Sequence, residues 1–202
     1  WIANADGSGA RRLTTSPGYD AEMTWCPRGG RMVFTSVRDG DLDLYVMDEE
    51  GQTRRLTTEA GYDGGAFFSP DCSEIVWRAS RPKGEDLDAY QKLLAKGLIR
   101  PNALEIFIMK SDGPQARQLT HNGAANFCPT FTADGRSIVY ASNASAGGRE
   151  FDLYRMSKEG GDAERITSSP GFDGFPHFSP DGSWLVWASN RADPVSHETN
   201  LF

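Results

Sequence analysis

The chain repeats itself four times, and this repetition restricts its fold more than any other feature of the sequence. One marker is a Leu-Thr or Ile-Thr pair, which begins at Leu13, Leu56, Leu119 and Ile166. Successive copies lie 43, 63 and 47 residues apart. A second marker, a turn sequence of the kind found at 179–182, keeps the same spacing. Two markers in register indicate a true structural repeat.

Each repeat contains short runs that are typical of β-strands. Runs of β-branched and aromatic residues, such as Ile75-Val76-Trp77 and Leu44-Tyr45-Val46, alternate with Gly, Pro and Asp at turn positions. Four short strands in about 40 to 45 residues is the period of a β-propeller blade. Because one segment alone has helical periodicity, an α/β fold is excluded. We therefore predict an all-β propeller built from four-stranded antiparallel blades, about four of which are present.

Four recurring sequences connect the chain with a known family of repeats. They are Asp-Leu-Tyr-Val-Met-Asp at 43–48, Arg-Arg-Leu-Thr at 54–57, Phe-Ser-Pro-Asp-Gly at 178–182 and Leu-Val-Trp-Ala-Ser-Asn-Arg at 185–191. Together they resemble the TolB-type propeller repeat, and the resemblance covers the whole chain. It implies a six-bladed ring and a periplasmic or secreted bacterial protein. It indicates function weakly, because propellers serve for binding, scaffolding and catalysis alike.

Both ends of the chain fall inside strands when the repeats are aligned. Trp1 and Phe202 align with Tyr45, Phe107 and Tyr154, in the middle of the third strand of a repeat. The repeat periods are then 1–44, 45–106, 107–153 and 154–202. Strands cut at the ends would leave unpaired edges. We expect a portion of a longer propeller with about two further repeats, and a closed four-bladed ring is the alternative.

Charge and hydropathy exclude several classes of partner. The chain has 21 Lys and Arg against 28 Asp and Glu, a net charge of −7. This balance disfavours nucleic acid and anionic lipid, which both require a basic surface. The apolar runs are far shorter than the roughly 20 residues of a membrane helix. Since the chain begins at Trp1 without a basic start and an apolar run, we also expect no signal peptide in it.

Cysteine and histidine are too few and too scattered to predict a metal site or a cofactor. Cys26, Cys72 and Cys128 have no metal-ligand spacing. We expect three buried thiols, and the alternative is one disulfide between Cys26 and Cys72 in neighbouring repeats. His177, on a first strand, is the one histidine placed where related propeller lyases hold a metal, and a solvated histidine is the favoured interpretation. The sequence contains no Gly-x-Ser-x-Gly nucleophile motif.

The irregular segments are predicted to share one face of the propeller. In antiparallel blades, the loops from strand 2 to strand 3 and from strand 4 to the next strand 1 emerge together. The segments 83–102, 144–150 and 192–197 all belong to this set, and we call the surface they form the loop face. Because function tends to lie on variable loops over a rigid scaffold, the loop face is the predicted binding surface.

The largest insertion, 83–102, is predicted to contain a short amphipathic helix over 86–96. Leu87, Tyr90, Leu93 and Leu94 have helical spacing, Gly97 caps the run and Pro101 ends it. The favoured interpretation is that the helix covers apolar surface of its own blade. The alternative is that these four side chains dock a protein partner.

Two columns of the repeat change together and predict ion pairs. Asp20, Asp63 and Asp173 enter strand 1 where the third repeat has Asn126, and Arg38, Arg81 and Arg191 follow strand 2 where it has Ala144. The repeat that lacks Asp therefore also lacks Arg. We predict an Asp–Arg pair within each of the other three blades. A ring of carboxylates that binds a cation or ligand at the channel mouth is the alternative.

No catalytic constellation emerges from the sequence. We therefore predict a non-catalytic protein-interaction module, or an accessory subunit of a bacterial envelope assembly, with protein partners and no cofactor. The alternatives are the propeller domain of an enzyme, either a lyase or a peptidase, and a binder of a cation or small ligand at the channel mouth.

Overall fold

A computed structural model describes residues 1–100, 103–145, 150–195 and 198–202, except the side chain of Pro114. Its strands form four antiparallel sheets, each built from strands consecutive in the chain. Each sheet is one blade.

Blade 1 contains β1 (Asp20–Trp25), β2 (Arg31–Ser36), β3 (Asp43–Asp48) and β4 (Thr53–Arg55). Blade 2 contains β5 (Asp63–Phe68), β6 (Glu74–Ala79), α1 (Glu85–Leu94), β7 (Glu105–Lys110) and β8 (Gly113–Gln118). Blade 3 contains β9 (Asn126–Phe131), β10 (Ser137–Ser142), β11 (Asp152–Ser157) and β12 (Glu164–Arg165). Blade 4 contains β13 (Asp173–Phe178), β14 (Leu185–Ser189) and β15 (Asn200–Leu201). The prediction of an all-β propeller with antiparallel blades is confirmed.

The first strands of the blades lie innermost. Strand β1 contacts β5, β5 contacts β9, and β9 contacts β13. The first strands of blades 2, 3 and 4 also pack on the second strand of the preceding blade. Apolar clusters fill the space between neighbouring sheets. The cluster between blades 1 and 2 includes Val33, Leu44, Ile75 and Trp77, all of them buried. Burial of these apolar faces between sheets is the main stabilising contribution to such a stack.

The ends of the chain differ in detail from the repeat alignment. Trp1 lies outside a strand, and its neighbour Ile2 pairs with Arg11 in a single bridge. Phe202 exchanges two backbone hydrogen bonds with Trp187, of 3.0 and 3.1 Å, and so prolongs the pairing of β14 with β15. Within the described residues, no strand of blade 1 contacts a strand of blade 4. The blades also begin at 20, 63, 126 and 173, so the repeat periods run from one blade into the next.

A disulfide joins blade 1 to blade 2, which corrects the expectation of three free thiols. Cys26 follows β1 and Cys72 lies in the turn between β5 and β6, and their Cα atoms are 5.6 Å apart. The two residues occupy different columns of the repeat, but the turns of neighbouring blades lie side by side. Cys128, which is partly buried, remains as a free cysteine.

The insertion in blade 2 forms the one helix found in the described part of the chain. It covers Glu85–Leu94 rather than 86–96. Gly97 has φ +69° and ends the helix, because its amide and that of Leu98 return to the carbonyls of Leu94 and Leu93. Pro101 lies outside the described residues. Within the described residues, the helix is far too short to cross a bilayer, and no other segment qualifies.

Candidate functional site at the inner strands and the loop face

Acidic residues at the start of three first strands lie against arginines that follow the second strand. The distances from arginine Nη2 to aspartate Oδ are 3.1 Å for Arg38 and Asp20, 2.7 Å for Arg81 and Asp63, and 2.8 Å for Arg191 and Asp173. Each pair is joined through one guanidinium nitrogen. The carboxylates of Asp63 and Asp173 are almost fully buried. Such a pair is costly to break on one side, because the other charge is left buried without a partner.

The same three arginines lie over aromatic rings of their own blades. The distance from Cζ to the ring centroid is 4.8 Å for Arg38 over Tyr45, 5.0 Å for Arg81 over Phe107 and 4.9 Å for Arg191 over Trp187. These distances lie within the range of cation–π attraction. The arginines therefore contact both the first strand and an aromatic side chain at the loop-face end of each sheet.

Blade 3 replaces this arrangement with neutral groups. The Asn126 amide nitrogen donates to the Leu104 carbonyl at 2.9 Å, to Asn122 Oδ1 at 2.8 Å and to Glu105 Oε2 at 3.0 Å. The backbone amide of Ala144 donates to Ser142 Oγ at 3.2 Å. The Asp-to-Asn change therefore keeps the first strand connected to the preceding blade through hydrogen bonds alone.

A second set of ion pairs joins strands 3 and 4, and the sequence analysis missed it. Arg55 Nη2 lies 2.6 Å from Asp43 Oδ2, and Arg165 Nη2 lies 2.6 Å from Asp152 Oδ2. Both carboxylates are fully buried. The signal was present in the sequence, because both arginines directly precede the Leu-Thr or Ile-Thr marker. Blade 2 has Gln118 at this position.

Burial changes the acidity of these carboxylates. Burial raises the pKa of Asp63 to about 6, against the lowering effect of the Arg81 guanidinium. Its Oδ2 atom is buried and has no hydrogen-bond partner among the described residues, which leaves desolvation incompletely compensated. The pKa of Asp43 is also raised by burial, in spite of Arg55. In both ion pairs, the arginine thus offsets only part of the cost of removing the carboxylate from water.

The first strand of every blade contains a β-bulge at the same position. The second residue after each strand start has a positive φ: 56° at Glu22, 59° at Gly65, 50° at Cys128 and 55° at Phe175. The strand register shifts at each of these points. We call these four residues the bulge arc. A positive φ at a non-glycine residue costs about 1 to 3 kcal/mol of conformational strain. Such strain persists only where the surrounding structure holds it, and bulges of this kind are frequent next to functional sites.

In blade 1 the bulge residue reaches into the next blade. Glu22 Oε2 accepts hydrogen bonds from the Gly65 amide at 2.9 Å and from the Tyr62 hydroxyl at 3.1 Å. Its Oε1 atom pairs with Arg78 Nη2. A Cβ atom on Gly65 would overlap the Arg78 guanidinium, so this approach requires glycine. The four groups form a polar cluster where the inner strands of blades 1 and 2 meet.

In blades 3 and 4 the bulge arc is less polar. Burial raises the pKa of the Cys128 thiol to about 11. The thiol is therefore protonated at neutral pH and is a poor nucleophile. The Phe175 ring contacts Phe127 and Phe172 at centroid distances of 5.9 and 6.0 Å, and yet the residue is 59% exposed. This part of the arc suits contact with an apolar group rather than covalent chemistry.

The apolar side of α1 packs within the chain. Tyr90 is buried against Leu42, Tyr62 and Leu104, and its hydroxyl hydrogen-bonds to Asp41. Leu87 and Leu94 pack against the same cluster. Leu93 instead lines a cavity between α1 and blade 2. The helix thus packs on the β2–β3 loop of blade 1 as well as on its own blade.

The cavity beside α1 has a volume of about 630 Å³. Its polar lining residues include Arg81, Lys83, Asp86, Arg100, Glu105 and Gln118. Apolar parts of its wall come from Leu93 and Phe107. It is large enough for a small organic molecule.

Metal-binding geometry is not found within the described residues, where no group of three or more His, Cys, Asp or Glu side chains could hold an ion. His177 lies in β13 and is exposed. His197 lies outside the described residues, as do residues 146–149 of the 144–150 loop.

The fold and the inner-strand site define a propeller of the TolB class. A family model for the TolB β-propeller domain matches residues 90–192, just over half of the chain, and the chain belongs to this family.

Known proteins similar to the chain include both TolB and a peptidase. The chain is 27% identical over 162 residues to the uncharacterised peptidase YuxL of Bacillus subtilis (strain 168), a match that covers 71% of this chain and 25% of that protein. TolB from Acinetobacter baumannii superposes with a TM-score of 0.77 at 19% identity, over 98% of this chain and 44% of that one. A TolB-type protein of Agrobacterium tumefaciens gives 0.68 at 24% identity, over 93% and 63%. The chain thus spans a quarter of the curated relative's length, and the two structures establish the fold alone.

Proposed function

We propose that this chain is a protein-binding propeller module that recognises its partner through the bulge arc and the adjoining loop face. The observation that carries the proposal is Phe175, a large aromatic residue that is 59% exposed on a left-handed backbone. Holding an apolar ring in water at a strained position has two costs, which contact with a partner would offset. Aromatic residues of this kind are frequent energetic centres of protein interfaces.

Further exposed apolar residues on the same face support this proposal. Tyr19 directly precedes β1 and is 46% exposed. Leu98 and Ile99 follow α1 and are 56% and 43% exposed. Arg78 and Glu22 add a polar cluster beside them. The mixture of aromatic and aliphatic residues with an arginine resembles the composition of protein interfaces.

We also propose that the module works in an oxidising compartment, either the periplasm or the space outside a bacterial cell. The support is the disulfide between Cys26 and Cys72, because disulfides persist in such compartments and are rare in the cytosol. In this setting, the module would serve as a non-catalytic subunit of an envelope assembly.

Site-specific photo-crosslinking tests the binding surface. A benzophenone amino acid replaces Phe175 in the protein as it occurs in the producing cells. The matched control carries it in place of Trp184, which is 73% exposed and lies at the opposite end of β13. We expect one discrete protein adduct from position 175 that is absent from position 184. Equal labelling from both positions, or none from position 175, would contradict the proposal.

A second candidate is the propeller part of a peptidase, and the similarity to YuxL favours it. In this case the propeller would control which peptides reach a catalytic domain elsewhere in the same protein. The test is reaction of the full gene product with a fluorophosphonate probe, which labels activated serines. Labelling would support the peptidase, and its absence from a correctly folded product would favour the binding module.

A further inference from the structure

The contacts between neighbouring blades contain matched numbers of buried acids and arginines in two of three cases. We call each such region a junction, made by strands 3 and 4 of one blade and the first two strands of the next. Junction 1–2 holds Asp43, Asp63, Arg55 and Arg81. Junction 3–4 holds Asp152, Asp173, Arg165 and Arg191. In each of these two junctions the four named side chains, two carboxylates and two guanidinium groups, have a summed formal charge of zero.

Junction 2–3 contains a buried carboxylate without a cation. In the order in which junction 1–2 was given, Asp43, Asp63, Arg55 and Arg81, the corresponding residues are Glu105, Asn126, Gln118 and Ala144. Glu105 is only 9% exposed and accepts hydrogen bonds from the Gly123 amide, the Thr120 hydroxyl and the Asn126 amide group, all neutral donors. Within the described residues, no lysine or arginine pairs with it. A buried carboxylate without a cation is costly for the fold.

The cavity beside α1 lies where the missing arginine would be. Gln118 takes the place of Arg55, and its side-chain amide donates to the Thr120 carbonyl at 2.7 Å, as Arg55 Nε donates to the Thr57 carbonyl at 2.8 Å. Arg55 extends further to Asp43 through Nη2, and the shorter Gln118 has no atom in that place. Phe107 takes the place of Tyr45 and lacks the hydroxyl. Glu105, Phe107 and Gln118 all line the cavity. The space that the Arg55 side chain fills in blade 1 is therefore open in blade 2. It lies next to Glu105, which corresponds to Asp43, the partner of Arg55.

A second guanidinium group beside Arg81 is compatible with this architecture. In blade 1, Arg38 lies 4.8 Å from the centre of the Tyr45 ring while Arg55 occupies the adjoining strand. Each of them has its own aspartate there. Arg81 likewise has its charge matched by Asp63 and Glu59. Of the two lining acids without an arginine, Asp86 is exposed to water and Glu105 is buried, so Glu105 is the one that a bound cation would satisfy.

The outer lining of the cavity suits an anion. Lys83 and Arg100 are exposed there and form no ion pair with any described residue. Asp86 is the one acid beside them. Leu93 and Phe107 also line the cavity and supply apolar surface, against which a short methylene chain would pack.

We propose that this cavity binds a basic amino acid of the arginine type, either free or as the C-terminal residue of a peptide. Its guanidinium group would pair with Glu105, in the role that Arg55 and Arg165 have in their own blades. Its carboxylate would lie toward Lys83 and Arg100. The proposal does not depend on the protein-binding role of the bulge arc.

Calorimetric titration with matched ligands tests the proposal. We expect L-arginine to bind, and citrulline, which has the same shape without the charge, to bind at least about tenfold more weakly. Agmatine, which lacks the carboxylate, should also bind more weakly. Comparison of free arginine with the peptide Gly-Gly-Arg shows which of the two sources the cavity accepts. Citrulline binding as tightly as arginine, or no binding of arginine or the peptide, would overturn the proposal.

Two variants locate the site and control for folding. Glu105→Gln should abolish the preference for arginine over citrulline. Gln118→Arg should supply the missing guanidinium from within the chain, so that ligand binding is lost while the thermal midpoint rises. Gln91→Arg adds the same charge on the exposed side of α1 and should leave binding unchanged. Unchanged arginine binding in Gln118→Arg would refute the site even if Glu105→Gln does not fold.

Discussion

The carboxylate of Glu22 accepts a 2.9 Å hydrogen bond from the amide of Gly65, the residue at the equivalent position in the next blade. The link therefore joins one bulge to the next, rather than one strand to its partner within a sheet. This bulge-to-bulge contact thus connects blades 1 and 2 at their innermost strands.

Gly65→Ala should destabilise the fold strongly. The new methyl group would overlap the Arg78 guanidinium, and the φ of +59° already disfavours alanine. We expect a loss of about 2 to 4 kcal/mol in the free energy of unfolding, from strain and overpacking together. Urea denaturation measures it.

Gly29→Ala is the matched control for this substitution. Gly29 has φ +80° but no described atom within 4 Å of an added Cβ. It should lose only about 1 kcal/mol, the backbone part of the effect. Equal losses in the two variants would mean that close approach to Arg78 contributes nothing.

Arg191→Ala should be more harmful than the double change Arg191→Ala with Asp173→Asn. The single change leaves a carboxylate that is 1% exposed without its cation, at a cost of about 3 to 5 kcal/mol. The double change recreates the neutral arrangement of blade 3, and the Trp187 indole can still donate to the side-chain oxygen. Thermal and urea denaturation of both variants provide the comparison. A double variant as unstable as the single one would show that the loss comes from stacking on Trp187 and Phe202 rather than from the unpaired carboxylate.

Stability should depend on pH through Asp63. Its pKa is raised to about 6 in the folded state, against about 3.9 in an unfolded chain. Between these values the folded state binds more protons, so the contribution of Asp63 falls as pH rises from about 4 to 6. The free energy of unfolding of the native protein, measured relative to Asp63→Asn, should therefore decrease over this window. A relative stability that increases would mean that Arg81 outweighs burial.

Loss of the disulfide should weaken the contact between blades 1 and 2. Cys26 and Cys72 are 46 residues apart, and a crosslink of this span contributes about 2 to 4 kcal/mol. Cys26→Ser with Cys72→Ser should lower the free energy of unfolding by this amount, and Cys128→Ser should change it little. Alkylation of the unfolded, unreduced protein should detect one thiol per chain. Three reactive thiols in protein from its native compartment would argue against an oxidising environment.

The repeat made much of the fold predictable. Markers in register located the strands, and two columns that change together indicated the pairing of Asp20 with Arg38. The same reasoning extends to Asp43 and Arg55, whose columns are equally visible beside the Leu-Thr marker. Column patterns are informative for such pairs because each pair lies within one blade, where the repeat fixes its geometry.

Features that depend on contact between blades were not predictable in this way. The bulge at Glu22 is apparent only in the backbone, because Glu, Gly, Cys and Phe share no side-chain property that would reveal a common φ. The disulfide joins different columns of two repeats, so aligning the repeats separates Cys26 from Cys72. The cavity beside α1 arises from an insertion that has no counterpart in the other blades.

At the bulge arc, the four blades share one backbone conformation but present chemically different side chains. Four blades place a residue at nearly the same φ, and the side chains there are a carboxylate, a hydrogen atom, a thiol and a phenyl ring. Since neighbouring strands maintain the backbone, side chains without a partner in the next blade can change there without loss of the blade. A mutational library confined to Phe175, which is 59% exposed, would therefore diversify recognition while leaving foldability intact, and this economy suits a scaffold that evolution reuses for unrelated ligands.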